Sequence, residues 1–279
     1  KILRMTTHSF DWNGQTLVWA EFGDPKAKPM VFLHGWGSSS AAFGPLAQML
    51  QDHRRCILLD FPGFGASSSL QTAWTLQTYA EATQSWLNHL GLANNSTDIL
   101  VHSFGARVLL WWLTHPSTSS PSSCVGYFDK IIVTGGAGVS LPKPLNVQAK
   151  LALVNVLKAP SKLFPSPLSE SYLSALRNST LWKSMGSSDY KELSPIMKQT
   201  FSAVVNSTFD ANTLKGIDRE ILLIWGDKDT ATPLRAGKIM ETSIKGAGLS
   251  VIENAGHYAF LDKPKTFTAI VRSYLNLPA

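Results

Sequence analysis

The sequence predicts an α/β protein built on a parallel sheet, and three observations carry that expectation. Short apolar runs at 30–33, 56–59, 99–101, 131–133 and 221–225 are each followed by turn residues, the pattern of strands buried on both faces. Segments with helical spacing lie between them, and such alternation implies βαβ units whose ligand sites sit at the carboxyl ends of the strands. Finally, a chain of 279 residues with 44% hydrophobic and 16% charged residues has enough apolar material to cover a sheet on both sides. One core domain carrying an insertion is the arrangement this length favours.

Taken in order, residues 15–22 (QTLVWAEF) are aromatic and β-branched and are bounded by Asn13-Gly14 and Gly23-Asp24. They read as one arm of a hairpin at a sheet edge. Over 74–90, Leu76, Tyr79, Ala80, Thr83, Trp86, Leu87 and Leu90 recur at three- and four-residue intervals and predict an amphipathic helix. A second helix begins near Arg107. From about 141 to 214 the rhythm changes: helix-like segments and six prolines occur, but no convincing strand, so a helical insertion is expected there. An apolar stretch at 249–252 follows, and no repeat of 20 to 50 residues is present.

Several function classes are disfavoured. No run of eighteen apolar residues appears and residues 1–12 lack an apolar signal region, so no membrane anchor is expected. Cys56 and Cys124 form neither a disulfide framework nor a CxxC or Cys/His metal pattern, which points to a cytoplasmic protein without a metal. The sequons at Asn94, Asn95, Asn178 and Asn206 read as chance matches in a chain rich in Asn, Ser and Thr. A net charge of +6 raises the question of nucleic acid, but the basic residues are scattered. Residues 141–218 hold nine Lys/Arg against five Asp/Glu as separate positions, a solvated face rather than a phosphate-binding patch.

Chemistry is concentrated at strand ends. Leu100-Val101-His102-Ser103-Phe104-Gly105 runs from an apolar strand through a sharp turn into a helix. A serine on such a turn projects its hydroxyl at the top of the sheet, and the N–H of the next residue, Phe104, points where an oxyanion forms. Gly105 supplies a small neighbour to the turn.

Val-His-Ser-Phe-Gly resembles the nucleophile elbow of the α/β-hydrolases, usually Gly-x-Ser-x-Gly, with Val101 in place of the first glycine. The added bulk of valine is expected to displace the elbow slightly or set back the neighbouring helix. Three more segments resemble the same family. His34-Gly35-Trp36-Gly37 is similar to its oxyanion loop, which implies that Trp36 offers the second N–H. Asp60-Phe61-Pro62-Gly63-Phe64-Gly65-Ala66-Ser67 resembles a structural turn of the family, and serine at position 68 removes the third glycine of a dinucleotide loop. Trp225-Gly226-Asp227-Lys228-Asp229 resembles the acid loop and implies Asp229 as the carboxylate, with Asp227 the competing candidate, read as a turn former. Gly256-His257 resembles the loop that returns the imidazole over the nucleophile, whereas His34 and His102 belong to motifs that position backbone. The chain order Ser, Asp, His is that of this fold.

The resemblance implies an α/β-hydrolase fold: a mostly parallel eight-stranded sheet flanked by helices, its first strands antiparallel. The core is expected over 1–140 and 219–279, and a helical lid over 141–218. It further implies hydrolysis of a small, mainly apolar carboxylic ester through an acyl-enzyme, with Ser103 as nucleophile, His257 as base, Asp229 as orienting acid and the N–H groups of Trp36 and Phe104 as oxyanion hole. No metal or organic cofactor is required. Trp36, Phe104, Tyr258, Phe164 and Trp182 are the candidate substrate contacts. Two alternatives stand beside this reading. A carbon–carbon bond hydrolase of vinylogous diketones uses the same triad, with Arg107 and Arg177 available for a substrate carboxylate, and Val101 hints at a slow-turnover binding protein. An aspartate-nucleophile enzyme is disfavoured by Ser103 at the elbow.

Overall fold

The computed structural model describes residues 5–92, 96–115, 128–141 and 193–278. By internal contacts the chain divides into two units, 1–140 with 199–279, and 141–198. Of the second unit, the described residues are 141 and 193–198. The segment expected to form the lid therefore lies mostly outside the described residues, as do Phe164, Trp182, Arg177 and Cys124.

In the larger unit the chain opens with a hairpin. Asn13 and Gly14, with φ of 53° and 78°, form the two-residue turn whose backbone demands left-handed residues at both positions, and Asp11 accepts the Gly14 N–H at 3.2 Å. The turn joins β1 (Thr6–Trp12) to β2 (Gln15–Phe22). The segment 15–22 is thus not the sheet edge expected of it. It pairs antiparallel with β1 on one side and β4 (Arg55–Asp60) on the other, and β1 takes the edge. Mostly exposed, β1 carries no apolar alternation by which sequence reveals a strand.

The remaining strands are β3 (Pro29–Leu33), β5 (Thr97–His102), β6 (Phe128–Thr134), β7 (Asp218–Gly226) and β8 (Lys245–Ile252). Eight strands stand in the order β1-β2-β4-β3-β5-β6-β7-β8, and every pair from β4 onward is parallel. Met30, Val31, Phe32 and Leu33, like Ile99, Leu100 and Val101, are fully buried, as strands covered on both faces must be.

One face is covered by α1 (Gly44–Leu50) and the C-terminal α7 (Ala259–Asp262) and α8 (Pro264–Tyr274). Phe32, Phe43, Leu46, Phe260, Phe267 and Val271 form its core, each side chain contributing about 1.5–3 kcal/mol on burial. Along the other face, α2 (Leu76–His89) and α3 (Phe104–Thr114) pack on each other. Trp112 of α3 donates its indole N–H to the Ala80 carbonyl of α2 at 3.1 Å. α2 starts at Leu76 rather than 74 because the Thr75 hydroxyl caps it, accepting the Thr78 N–H at 3.1 Å. Farther on, α4 (Pro195–Asn206) and α5 (Ala211–Lys215) precede β7, and α6 (Leu234–Ser243) joins β7 to β8. Residues 199–218, expected in the insertion, fall within the larger unit.

At the amino ends of the strands, Asp98 is fully buried and paired with Lys28 at 2.7 Å and Arg54 at 2.8 Å. The opposite, carboxyl ends carry the loops 34–37, 103–106, 134–137, 226–232 and 253–258.

Candidate active site

Ser103 occupies the step between β5 and α3 with φ 49° and ψ −106°, a left-handed conformation that is strained for a residue with a side chain. Its neighbours impose it. The Ser103 N–H donates to Thr134 O at 3.2 Å, and its carbonyl accepts the N–H groups of Ala106 and Ala137, each at 3.1 Å. Gly105 donates to His34 O at 3.1 Å and lies so close to β3 that a Cβ there would stand 2.4 Å from the Leu33 carbonyl oxygen. Val101 continues β5 in register with Leu33 and Val133, fully buried. The close approach at this turn is made by Gly105.

The N–H groups of Trp36 and Phe104 have no hydrogen-bond acceptor among the described residues. Phe104 is the first residue of α3, where unsatisfied N–H groups and the helix dipole favour negative charge. The loop holding Trp36 is braced by His34, whose Nδ1 donates to Gly35 O at 2.7 Å while Nε2 accepts the Phe61 N–H at 3.0 Å. Burial holds the pKa of this imidazole down to about 4, so it serves as a neutral strut.

Asp229 follows β7 and is buried. Its Oδ1 accepts the N–H groups of Ala231 at 2.9 Å and Thr232 at 2.8 Å, and its Oδ2 faces His257 Nδ1 at 2.9 Å and the Thr232 hydroxyl at 2.8 Å. Burial alone would raise this carboxyl, but the hydrogen bonds from His257 and Thr232 outweigh it and hold the pKa below its ordinary value. The carboxylate therefore accepts a hydrogen bond from Nδ1–H, which leaves Nε2 of His257 with its lone pair. Asp227, by contrast, is exposed and accepts the Ala255 N–H at 3.3 Å.

The carboxylate and imidazole meet over Gly135, whose φ is 52°. A Cβ at that position would stand 3.1 Å from His257 Nδ1 and 3.3 Å from Asp229 Oδ2. Because Gly135 adjoins Thr134, the acceptor of the Ser103 N–H, the same loop supports all three residues. His102 closes the arrangement from β5, its ring 4.5 Å from that of His257.

Trp36 packs against Phe64 at 4.9 Å, Phe104 at 5.6 Å and Phe201 at 5.2 Å between ring centroids. The Phe104 ring is 2% exposed and also touches Phe61 and Tyr79, so that side chain is packing. Tyr258 is half-buried against His102 and His257. Sequence reasoning did not single out Phe64, Phe201, Gly135 or Thr232. Only Thr232 carried a local signal, as a hydroxyl three residues after an aspartate.

Arg107, a candidate for substrate carboxylate, instead donates Nη1 to the carbonyls of Val204 at 3.2 Å and Ser207 at 2.6 Å, satisfying the end of α4. Among the described residues no cluster of three or more His, Cys, Asp or Glu is placed to hold a metal, and no helix is long and apolar enough to cross a membrane.

The profile of the alpha/beta hydrolase family matches residues 30–270. The hydrolase YugF of Bacillus subtilis (strain 168) is 22% identical over 278 residues, covering 95% of this chain and 96% of the relative. A pimeloyl-(acyl-carrier protein) methyl ester esterase of Neisseria meningitidis serogroup C is 24% identical over 257 residues, covering 89% and 93% respectively. Among solved structures, a 2-hydroxy-6-oxo-6-phenylhexa-2,4-dienoate hydrolase from a Rhodococcus species superposes with a TM-score of 0.70 at 20% identity, covering 98% of this chain and 99% of that one, a likeness of fold.

Proposed function

The chain belongs to the alpha/beta hydrolase family, and on that premise we propose that it is a serine hydrolase of small, mainly apolar carboxylic esters, working through an acyl-enzyme on Ser103. The observation that carries the reading is the 2.9 Å contact between His257 Nδ1 and an Asp229 carboxylate already bound by three other donors, over a Gly135 whose neighbour Thr134 accepts the N–H of Ser103, itself at φ 49°.

In this reading Ser103 Oγ attacks the ester carbonyl carbon as His257 Nε2 takes its proton, because a serine hydroxyl is a poor nucleophile without a base. Asp229 holds the tautomer and stabilises the imidazolium. The carbonyl oxygen becomes an oxyanion held by the N–H groups of Trp36 and Phe104, a contribution of about 3–4 kcal/mol for a single such donor in other hydrolases. The tetrahedral adduct collapses, the C–O bond breaks, and the alcohol leaves with the proton from His257. Water then gives a proton to His257 and adds to the acyl carbon. Release of the carboxylic acid returns the proton to Ser103.

Trp36, Phe64 and Phe201 supply the apolar surface beside that oxyanion position, and Arg107 is committed to backbone carbonyls, which favours an uncharged ester over a dienoate. The test is labelling with a fluorophosphonate probe followed by an ester chain-length series. Wild-type protein is expected to be labelled at Ser103 and to turn over short esters, while Ser103→Ala does neither. Turnover of a dienedione without ester turnover, or a single labelling event without steady-state turnover of any substrate, overturns the proposal.

A further inference from the structure

Thr232 has every polar atom engaged. Its N–H donates to Asp229 Oδ1 at 2.8 Å and its carbonyl accepts the indole N–H of the buried Trp225 at 2.7 Å, so its backbone is held at both ends. The hydroxyl lies 2.8 Å from Asp229 Oδ2, 2.9 Å from Gly135 O and 3.2 Å from His257 Nδ1. A carboxylate and a carbonyl only accept, and a hydroxyl has one proton and two lone pairs. Two acceptors therefore compete for one proton, while the third neighbour, Nδ1–H, seeks a lone pair.

We propose that Thr232 is a positioning residue whose hydroxyl proton turns from Asp229 to Gly135 as His257 becomes charged. The inference rests on the triad reading above. With neutral His257, the hydroxyl donates to Asp229 Oδ2. When His257 takes the proton of Ser103, rotation of one C–O bond directs the hydroxyl proton to Gly135 O. A lone pair of Thr232 Oγ1 then faces the imidazolium Nδ1–H, and Asp229 Oδ2 is left to His257 alone. No heavy atom moves and no covalent bond to carbon changes. The hydroxyl dipole follows the charge, stabilising the imidazolium relative to the neutral ring.

The other polar groups facing this centre stay in place. They are His102 from β5, with His34 behind it, and Tyr258 and the Gly256 N–H bound to Asp262 from the β8–α7 loop. Asp227 and Lys228 are exposed and bond to Ala255 and Asn254.

The experiment compares wild type, Thr232→Val and Thr232→Ser in the pH profile of kcat/KM on one ester. The downfield proton resonance of His257 Nδ1 is followed in parallel. Valine is expected to lower kcat about tenfold with KM unchanged. It should also move the acid limb to lower pH by at least about half a unit, because the imidazolium loses a partner. Serine restores the limb, and the Nδ1 resonance shifts in the valine variant only. A limb that moves to higher pH means that the hydroxyl donates permanently to Asp229, and a limb that stays put means a role in packing alone; either overturns the proposal. Failure of the triad reading shows separately, as absence of fluorophosphonate labelling at Ser103 in the wild type.

Discussion

His102, the residue before Ser103, donates its Nε2 proton to the carbonyl oxygen of His257 at 3.0 Å. The bond ties the end of β5 to the loop after β8 across 155 positions of sequence, so the candidate nucleophile and the candidate base are braced by one imidazole. Burial pushes the pKa of His102 down to about 3 against the upward pull of this bond, so the ring is neutral with its proton on Nε2.

His102→Phe keeps the ring packing against Tyr258 and Phe260 but leaves the His257 carbonyl without its donor. An unsatisfied buried acceptor costs about 1–3 kcal/mol. Denaturant titration is expected to show a loss in that range, and ester kinetics a fall in kcat larger than any rise in KM. Equal stability and equal kcat would show that the link is dispensable.

Ser103→Ala and His257→Ala are each expected to lower ester hydrolysis by several orders of magnitude, because residues acting as one unit leave only oxyanion stabilisation when either is removed. Circular dichroism should show both variants folded. Retention of more than about a tenth of wild-type turnover in Ser103→Ala would remove it as nucleophile.

Asp229→Asn and Asp227→Asn should separate by more than about a hundredfold in acylation rate. The amide at 229 presents an N–H to His257 Nδ1 and selects the wrong tautomer, whereas Asp227 is exposed and accepts the Ala255 N–H. A pre-steady-state burst with a chromogenic ester isolates acylation. Equal losses, or a larger one at 227, would reverse the assignment.

Stability should fall as the solution is acidified from about pH 6.5 to about pH 4. His34 and His102 are neutral in the fold, with pKa values lowered to about 4 and about 3 by burial, while the unfolded chain takes up protons on both below the ordinary 6.5. In that window the unfolded state binds more protons, so acid favours it. Their contribution is complete above pH 6.5 and declines by up to about 1.4 kcal/mol per pH unit for each histidine. Urea midpoints measured from pH 8 to 4.5 check this, and His34→Asn should flatten the slope by about one proton. An unchanged slope in that variant would place the protonation elsewhere.

Much of this architecture is legible in sequence because its causes are local. Interior parallel strands must be apolar on both faces, so β3, β4, β5, β6 and β7 announce themselves as unbroken runs. The His-Gly loop, the serine turn and the acid loop each follow such a run, Gly256-His257 follows β8 at the opposite edge from β1, and their order along the chain is their order across the sheet. The edge strand β1 was not legible, since only Phe10 and Trp12 of its seven residues are partly buried, too few to set a period, and the strand is held by its register with β2.

Only the tertiary structure decided what the remaining polar groups do. Arg107 reads as a free cation until the end of α4, about a hundred residues away in sequence, meets its guanidinium. His102 reads as part of a motif that positions backbone, and the backbone it holds, the His257 carbonyl, is identified only in the fold. Thr232 looks like a turn residue, and its hydroxyl gains its place between Asp229, Gly135 and His257 only because β6 and β7 are neighbours in the sheet. Hydrophobic periodicity records which face of an element is buried, a property each segment carries alone. A hydrogen-bond partner is set by distances of about 3 Å between segments far apart in the chain, and those distances exist only once the sheet has brought the segments together.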